Sequence, residues 1–200
     1  MAASAAAAAE LRSILRAQTS KESQNRWRRW SSELMHGTRL SVPLLTLLWQ
    51  EVINFDPILA EHITSPTAVP DRAVIVAGSG KETFKTFNVS TAASLLAASA
   101  GVPVVKGVSQ SVSAVSGAAD VLKTLGIPIE DDPATVGPAV ERDGIGFVSY
   151  AAFCPAYAGQ YDGVFHVLSP LSFFMPVAVL AVAASRFLYG LAHRNVALVC

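Results

Sequence analysis

The chain opens on helical periodicity and changes, near residue 70, to the short apolar runs of a parallel sheet. Between residue 10 and about residue 65, apolar positions recur at spacings of three and four in ELRSILRA, NRWRRWSSELM, VPLLTLLWQEVI and DPILAEHI. That spacing predicts four helices. Gly37 marks a break after the second, and Asp56-Pro57 is a helix start, an N-cap residue followed by proline at the first helical position. The stretch SPTAVPDR, Ser65–Arg72, then reads as a proline-bearing linker.

Beyond the linker the pattern is strand, loop, helix, strand. AVIVA (Ala73–Ala77) is a short apolar run; Ser90 or Thr91 is placed to cap the helix STAASLLAASA; Gly101 suits its end; VPVVK (Val102–Lys106) is the next strand. A second round has GVSQSVSAVSG as loop, AADVLKTL as helix and Gly126 as stop. In a third, Asp132-Pro133 opens a helix that ends at Gly144, and GFVSY (Gly146–Tyr150) is a strand. Such alternation with short connections predicts an α/β fold: an N-terminal helical subdomain over residues 1–70 and a parallel α/β sheet domain over residues 71–200. Ligands of such sheets bind beyond the carboxyl ends of the strands, where the loops Gly78–Ser90 and Gly107–Gly117 lie.

Composition narrows the classes. An apolar fraction of 52% is ample for a buried core, and fifteen basic against fifteen acidic residues give no net charge to draw the chain to nucleic acid or an anionic membrane. Any anion site must be local. Two cysteines and four histidines, all far apart in sequence, form no zinc pattern. NRWRRW (Asn25–Trp30) offers arginine and tryptophan side by side, as a nucleic-acid contact would. The same spacing suits a surface helix whose Trp27 and Trp30 pack on the core, and no other basic cluster supports the first reading. Neither a nucleic-acid nor a membrane partner is expected. Residues 1–30, rich in Ala, Ser and Arg, read either as an organelle transit peptide or as the start of a structural helix. The expected compartment is accordingly the cytoplasm, or an organelle matrix on the transit-peptide reading. Val164–Ala184 has the length and apolarity of a membrane span, but Pro170 and Pro176 inside it suit the buried loop and strand of a parallel sheet equally well.

The loop GSGKETFKTFNVST (Gly78–Thr91) is a candidate anion cradle. Gly78 and Gly80 allow close backbone approach, and the amides of Ser90, Thr91 and Ala92 at a helix start would face a ligand with the positive end of the dipole. Thr86, Asn88, Ser90 and Thr91 add short polar groups suited to phosphate or to a phosphate-bound metal. A plain tight turn before a helix is the alternative. The loop is neither a P-loop nor a dinucleotide-binding glycine loop. The second loop adds Lys106 and four serines at the mouth of the next strand, with Lys106 readable either as a ligand-facing cation or as a solvated strand end.

Taken together, TFNVSTAASLLAASAGVPVVK, SVSAVSGAADVLKTLGI and GIGFVSYAAFCPA resemble the anthranilate phosphoribosyltransferase family. That family shows Gly-Thr-Gly-Gly-Asp, then Thr-Phe-Asn-Ile-Ser-Thr, then Lys-His-Gly-Asn-Arg-Ser-Val-Ser-Ser-Lys-Ser-Gly-Ser-Ala-Asp-Val-Leu. The likeness is collinear from Gly78 to Leu125 and continues to Pro155. It implies a nucleoside phosphorylase/phosphoribosyltransferase-like fold and transfer of ribose 5-phosphate from phosphoribosyl pyrophosphate (PRPP) to a small aromatic acceptor, with Mg2+, as in tryptophan biosynthesis. By the same resemblance Gly78, Gly80, Glu82, Thr86, Asn88, Ser90, Thr91 and Lys106 would bind PRPP, Ser90 would help hold the metal, and Ser109 would face the acceptor.

The chain also departs from the family pattern. Lys81 and Glu82 stand where the glycine loop has Gly and Asp; Gly107, Val108, Ser109 and Gln110 replace His, Gly, Asn and Arg; Ala114, Val115 and Ala118 replace Ser, Lys and Ser. No arginine for an acceptor carboxylate occurs between the AFCPA stretch and Arg186, which points to an acceptor other than anthranilate. The sequence reaches NVALVC without the family's metal-binding Asp-Glu pair, so a shortened C-terminus is expected, with a second copy or a partner chain covering the apolar C-terminal region. A member repurposed for binding or assembly is the alternative function.

Overall fold

A computed structural model describes residues 2–34, 41–78, 87–109, 117–162 and 181–189. Four helices come first: α1 (Ala2–Leu15), α2 (Lys21–Ser32), α3 (Val42–Phe55) and α4 (Pro57–Thr64). Each of the last three begins on a polar cap. Ser20 accepts the Ser23 amide, Ser41 the Leu44 amide and Asp56 the Leu59 amide, and α3 and α4 carry proline in the first turn. These contacts satisfy donors that a helix start leaves open.

The core between these helices is aliphatic and aromatic. Leu11, Ile14 and Leu15 of α1 share one buried cluster with Leu44, Leu45 and Leu48 of α3 and with Trp27 and Trp30 of α2. Each fully buried leucine contributes about 1.5–3 kcal/mol. The two indole rings stack at 5.3 Å, and the Trp30 Nε1 donates to the Ala7 carbonyl at 3.2 Å. The rings of NRWRRW therefore belong to the interior. Arg12 and Glu51 clamp α1 to α3 through two hydrogen bonds, at 2.7 and 2.5 Å, which hold the Glu51 carboxyl below its ordinary range.

The sheet contains β1 (Val74–Ala77), β2 (Val104–Val108), β3 (Ile145–Ser149) and β4 (Arg186–Tyr189) in the order β3-β2-β1-β4, with every pair parallel. α5 (Val89–Ser99) connects β1 to β2, while α6 (Ala118–Thr124) and α7 (Pro133–Asp143) connect β2 to β3. Between those two helices Glu130 forms a parallel bridge to Val148 on the outer side of β3. The chain thus runs outward past β3 and returns, which puts α6 and α7 on opposite faces. Val108 and Phe147 accordingly pack with Leu122 of α6, whereas Val105 and Val148 pack with Val136 and Val140 of α7. The right-handed crossover rule places α5 on the α6 face.

The expected α/β class and helical portion are present, with three adjustments. β2 lies two residues further along than Val102–Lys106, so Lys106 sits within the strand and not at its end. Helix α5 begins at Val89 with Asn88 as N-cap, so Ser90 and Thr91 fall inside the first turn and neither caps it. Tyr150 starts a helix instead of ending β3, because the chain turns at once into α8 (Tyr150–Phe153) and α9 (Pro155–Asp162). Gly144 does end α7 in the left-handed conformation expected of a stop, at φ 74°. The Gly37 break and most of Val164–Ala184 lie outside the described residues; among those described, no helix is long and apolar enough to cross a membrane.

Helices α8 and α9 return to the first four. The Asp56 side chain is fully buried, one carboxyl oxygen accepting the Leu59 amide at 3.2 Å and the other the Tyr157 amide at 2.9 Å. One side chain therefore caps α4 and α9 together. Gln160 of α9 donates to the carbonyls of Leu15 and Ala17 at the end of α1, at 2.7 and 3.3 Å. Asp56→Ala should cost about 2–4 kcal/mol in urea unfolding, since two caps are lost and two buried amides lose their acceptor. Asp56→Asn, which keeps one acceptor oxygen, should recover part of that loss.

Candidate functional site

The carboxyl ends of β1 and β2 bring several of the expected residues together. Gly78 follows β1 directly, and a Cβ built on it would lie 3.2 Å from the Ser90 Oγ in the first turn of α5. Strand end and helix start thus close on one another with little space between them. Asn88 leaves the helix with φ −68° and ψ 71°, its side chain caps nothing, and its carbonyl accepts the amides of Thr91 and Ala92 at 3.0 and 3.1 Å. Those two amides are engaged within the turn, contrary to the expectation that they face a ligand; an N-cap at Asn88, two residues before Ser90, draws them into the first turn. What the turn does offer is side chains.

Ser90 is half-buried beside Gly78, and its carbonyl is held by the Ser94 hydroxyl at 2.7 Å. Thr91 is buried, and its Oγ1 has no hydrogen-bond partner among the described residues. Burying a hydroxyl without a partner costs about 1–3 kcal/mol, so this atom is poised to receive one.

Lys106 supplies the charge. Its neighbours in register are Val76 on β1 and Phe147 on β3, so its side chain lies on the sheet face covered by α5 and α6. It is only 2% exposed, and its Nζ donates to the Gly107 carbonyl at 2.6 Å. Burial pushes the ammonium down to about 8. Of the two readings of Lys106, the solvated strand end is excluded. Ser109 is exposed just past β2, its carbonyl accepting the Ala119 amide at 3.2 Å at the start of α6. Gly80, Glu82 and Thr86, with Lys81, lie outside the described residues, as do Gln110, Ala114 and Val115.

Among the described residues no three His, Cys, Asp or Glu side chains are grouped to hold a metal. A hard hydroxyl oxygen such as that of Ser90 suits Mg2+, which commonly keeps several waters and is bound largely through substrate phosphates. Cys154 is buried, with its thiol pushed up to about 12 by burial and by the nearby Asp56, which leaves it unreactive. The aromatic residue that adjoins this region was not among the expected ones: Tyr150 lies against Gly107. The one signal in the sequence was the glycine itself, which stands where the resembled motif has a histidine.

The fold is thus a parallel α/β sheet with a buried lysine within β2 and, in the first turn of α5 after β1, a buried hydroxyl that has no partner among the described residues. The profile of the glycosyl transferase family, a/b domain, matches residues 71–192, and the chain belongs to that family. An anthranilate phosphoribosyltransferase of Methanopyrus kandleri is 39% identical over 131 residues, covering 62% of this chain and 39% of that protein. One of Haloarcula marismortui is 43% identical over 116 residues, covering 53% and 35%. The matched part is thus between a third and two-fifths of each of these relatives. In fold, the chain is similar to anthranilate phosphoribosyltransferase from Thermus thermophilus, with TM-score 0.65 and 22% identity over 98% of this chain and 58% of that one. The enzyme from Saccharomyces cerevisiae, in complex with PRPP and Mg, gives TM-score 0.61 and 19% identity over 94% and 53%.

The lysine yields a pH signature. The unfolded lysine keeps its proton to about 10.5 and the folded one releases it near 8, so between those values the unfolded state holds more protons and stability rises with pH. Below about 8 the full cost of burying the cation is present. Relative to Lys106→Met, wild-type stability should therefore climb by up to about 3 kcal/mol across that window, measured by denaturant unfolding at stepped pH.

Proposed function

We propose that the protein binds the magnesium complex of PRPP at the carboxyl ends of β1 and β2 and transfers its ribose 5-phosphate to a small aromatic acceptor. The observation that carries this reading is the closure of Gly78 onto Ser90 beside the Thr91 hydroxyl, which is buried without a partner among the described residues. A phosphate oxygen at that point would give Thr91 its acceptor. Gly78 has no side chain to crowd the Ser90 hydroxyl, and the hydroxyls of Ser90 and Thr91, with Asn88 beside them, would hold the phosphates. Gly80, Glu82 and Thr86 complete the shell on the loop between β1 and α5. Lys106 adds a cation in low-dielectric surroundings, where its effect on a developing charge is largest.

In this reaction negative charge grows on the departing pyrophosphate as the sugar carbon becomes cationic. Groups already aimed at that charge lower the barrier without reorganising. Mg2+, when bound with the phosphates and Ser90, supplies further neutralisation of the leaving group. An anion beside Lys106 raises the affinity of its amine for a proton, so binding would draw the lysine back to its charged form. Ser109, exposed just past β2, would meet the acceptor. The chemistry belongs to residues 71–200, with the helices of residues 1–70 packed alongside. A second copy of the chain, or a partner chain, is taken to cover the apolar C-terminal region, and tryptophan biosynthesis is the matching pathway.

Isothermal titration with PRPP and Mg2+ should show saturable binding. Thr91→Val, which keeps shape and removes the hydroxyl, should weaken it by about tenfold or more, as should Lys106→Ala. An absence of binding at millimolar PRPP overturns the reading.

A further inference from the structure

Helix α5 reverses the usual arrangement of a surface helix. No residue from Thr86 to Val105 carries a charge. Successive residues step about 100° around a helix axis, so Val89, Ala93, Leu96 and Ala100 fall along one line. Thr91 and Ser94 are the buried residues of α5 and mark the side turned to the sheet, whereas all four residues of that line are exposed. The stripe furthest from the sheet is therefore apolar along its whole length, with Leu96 71% and Val89 53% exposed. On a helix that meets water this line carries polar and charged side chains, and a helix apolar all round belongs in an interior. Phe87, 73% exposed, stands just before the helix, and Leu188 of β4, in register with Val76, adds apolar surface on the same face of the sheet.

We propose that two copies of this chain pair through α5, with the two helices antiparallel about a two-fold axis. The order of residues in the stripe is what selects a second copy. Turned end for end against itself, it sets Val89 against the partner subunit's Ala100 and Leu96 against the partner subunit's Ala93. A branched side chain thus meets a methyl group at every level, a large-to-small match that lets two helices approach to about 8–10 Å. No charge has to be stripped of water in the process. A two-fold contact uses one self-complementary surface twice, while an unrelated partner would need a matching stripe of its own. With about 150–250 Å2 for a whole aromatic side chain and somewhat less for leucine or valine, the exposed fractions along α5 amount to about 600 Å2 per copy, or about 1,200 Å2 in all, the lower end of specific interfaces. Ser90 and Thr91 lie on other sides of the helix, so the pairing does not depend on the phosphoribosyl-transfer reading.

Sedimentation velocity of the full chain from about 1 to 200 μM, where an interface of this size is expected to dissociate, reads the association directly. Wild type should pass from monomer to dimer and stop there. Leu96→Glu puts a carboxylate in the middle of the stripe and should weaken association by about 100-fold or more, as should Ala93→Lys. The double variant A93K/L96E sets opposite charges across the antiparallel pair and should recover about tenfold or more of that loss. A parallel or unregistered contact gives no such recovery, and its absence overturns the antiparallel arrangement. Both positions are exposed, so unfolding curves taken at concentrations where every variant is monomeric should match wild type and separate lost pairing from lost folding. A wild type still monomeric at about 200 μM overturns the proposal, whether another segment of the chain or a different protein covers the stripe. Growth beyond the dimer, or a dimer that Leu96→Glu leaves intact, overturns it equally.

Discussion

The carboxyl group of Asp56 is the joint on which the two halves of this molecule depend. One oxygen closes the start of α4 and the other the start of α9, across 101 residues of chain, and the side chain is fully buried. A buried carboxyl is costly unless its oxygens are occupied, and here each takes a backbone amide that would itself be costly to leave open. The arrangement fixes where α8 and α9 lie, and with them the entry of Tyr150 from the end of β3. The position of the ring at the strand ends thus follows from a contact made in the helical part.

The same economy governs the sheet. β2 is buried along its whole length, yet it carries a lysine and a glycine in succession. Hydrophobic burial alone would favour neither residue. A buried ammonium on one face is destabilising, and a glycine on the other forfeits side-chain packing, so local rules of strand formation are broken at two adjacent positions. Such breaches concentrate where a protein does its chemistry. The Thr91 hydroxyl, buried without a partner among the described residues, is a third departure from local rules.

Much of the scaffold was readable from residue spacing. Asp56-Pro57, Asp132-Pro133 and the glycine stops announced helix ends whose physics is local, so they stand where expected. The order strand–helix–strand was likewise local. Boundaries failed where tertiary contacts decide: parallel pairing with β1 and β3 moved β2 two residues along, and a helix start at Val89 took up amides expected to be free. The strand β4 and the short helices α8 and α9 carry weak periodicity and exist through their partners. Of the expected site residues, Gly78 and Ser90 do lie together at the end of β1 with Thr91 next in the turn, and Lys106 is buried within β2, whereas Tyr150 was signalled only by the glycine 43 positions earlier against which it lies.

Gln160 has a consequence for the path of the chain. The carbonyls it receives belong to residues some 145 positions earlier, at the end of the first helix. The helices of residues 2–64 therefore carry caps and a core of their own, while the end of α1 takes its last donors from α9, beyond the third strand. Closing so long a loop costs entropy before any contact compensates it. The carbonyl end of α1 is thus completed only by a segment that follows β3.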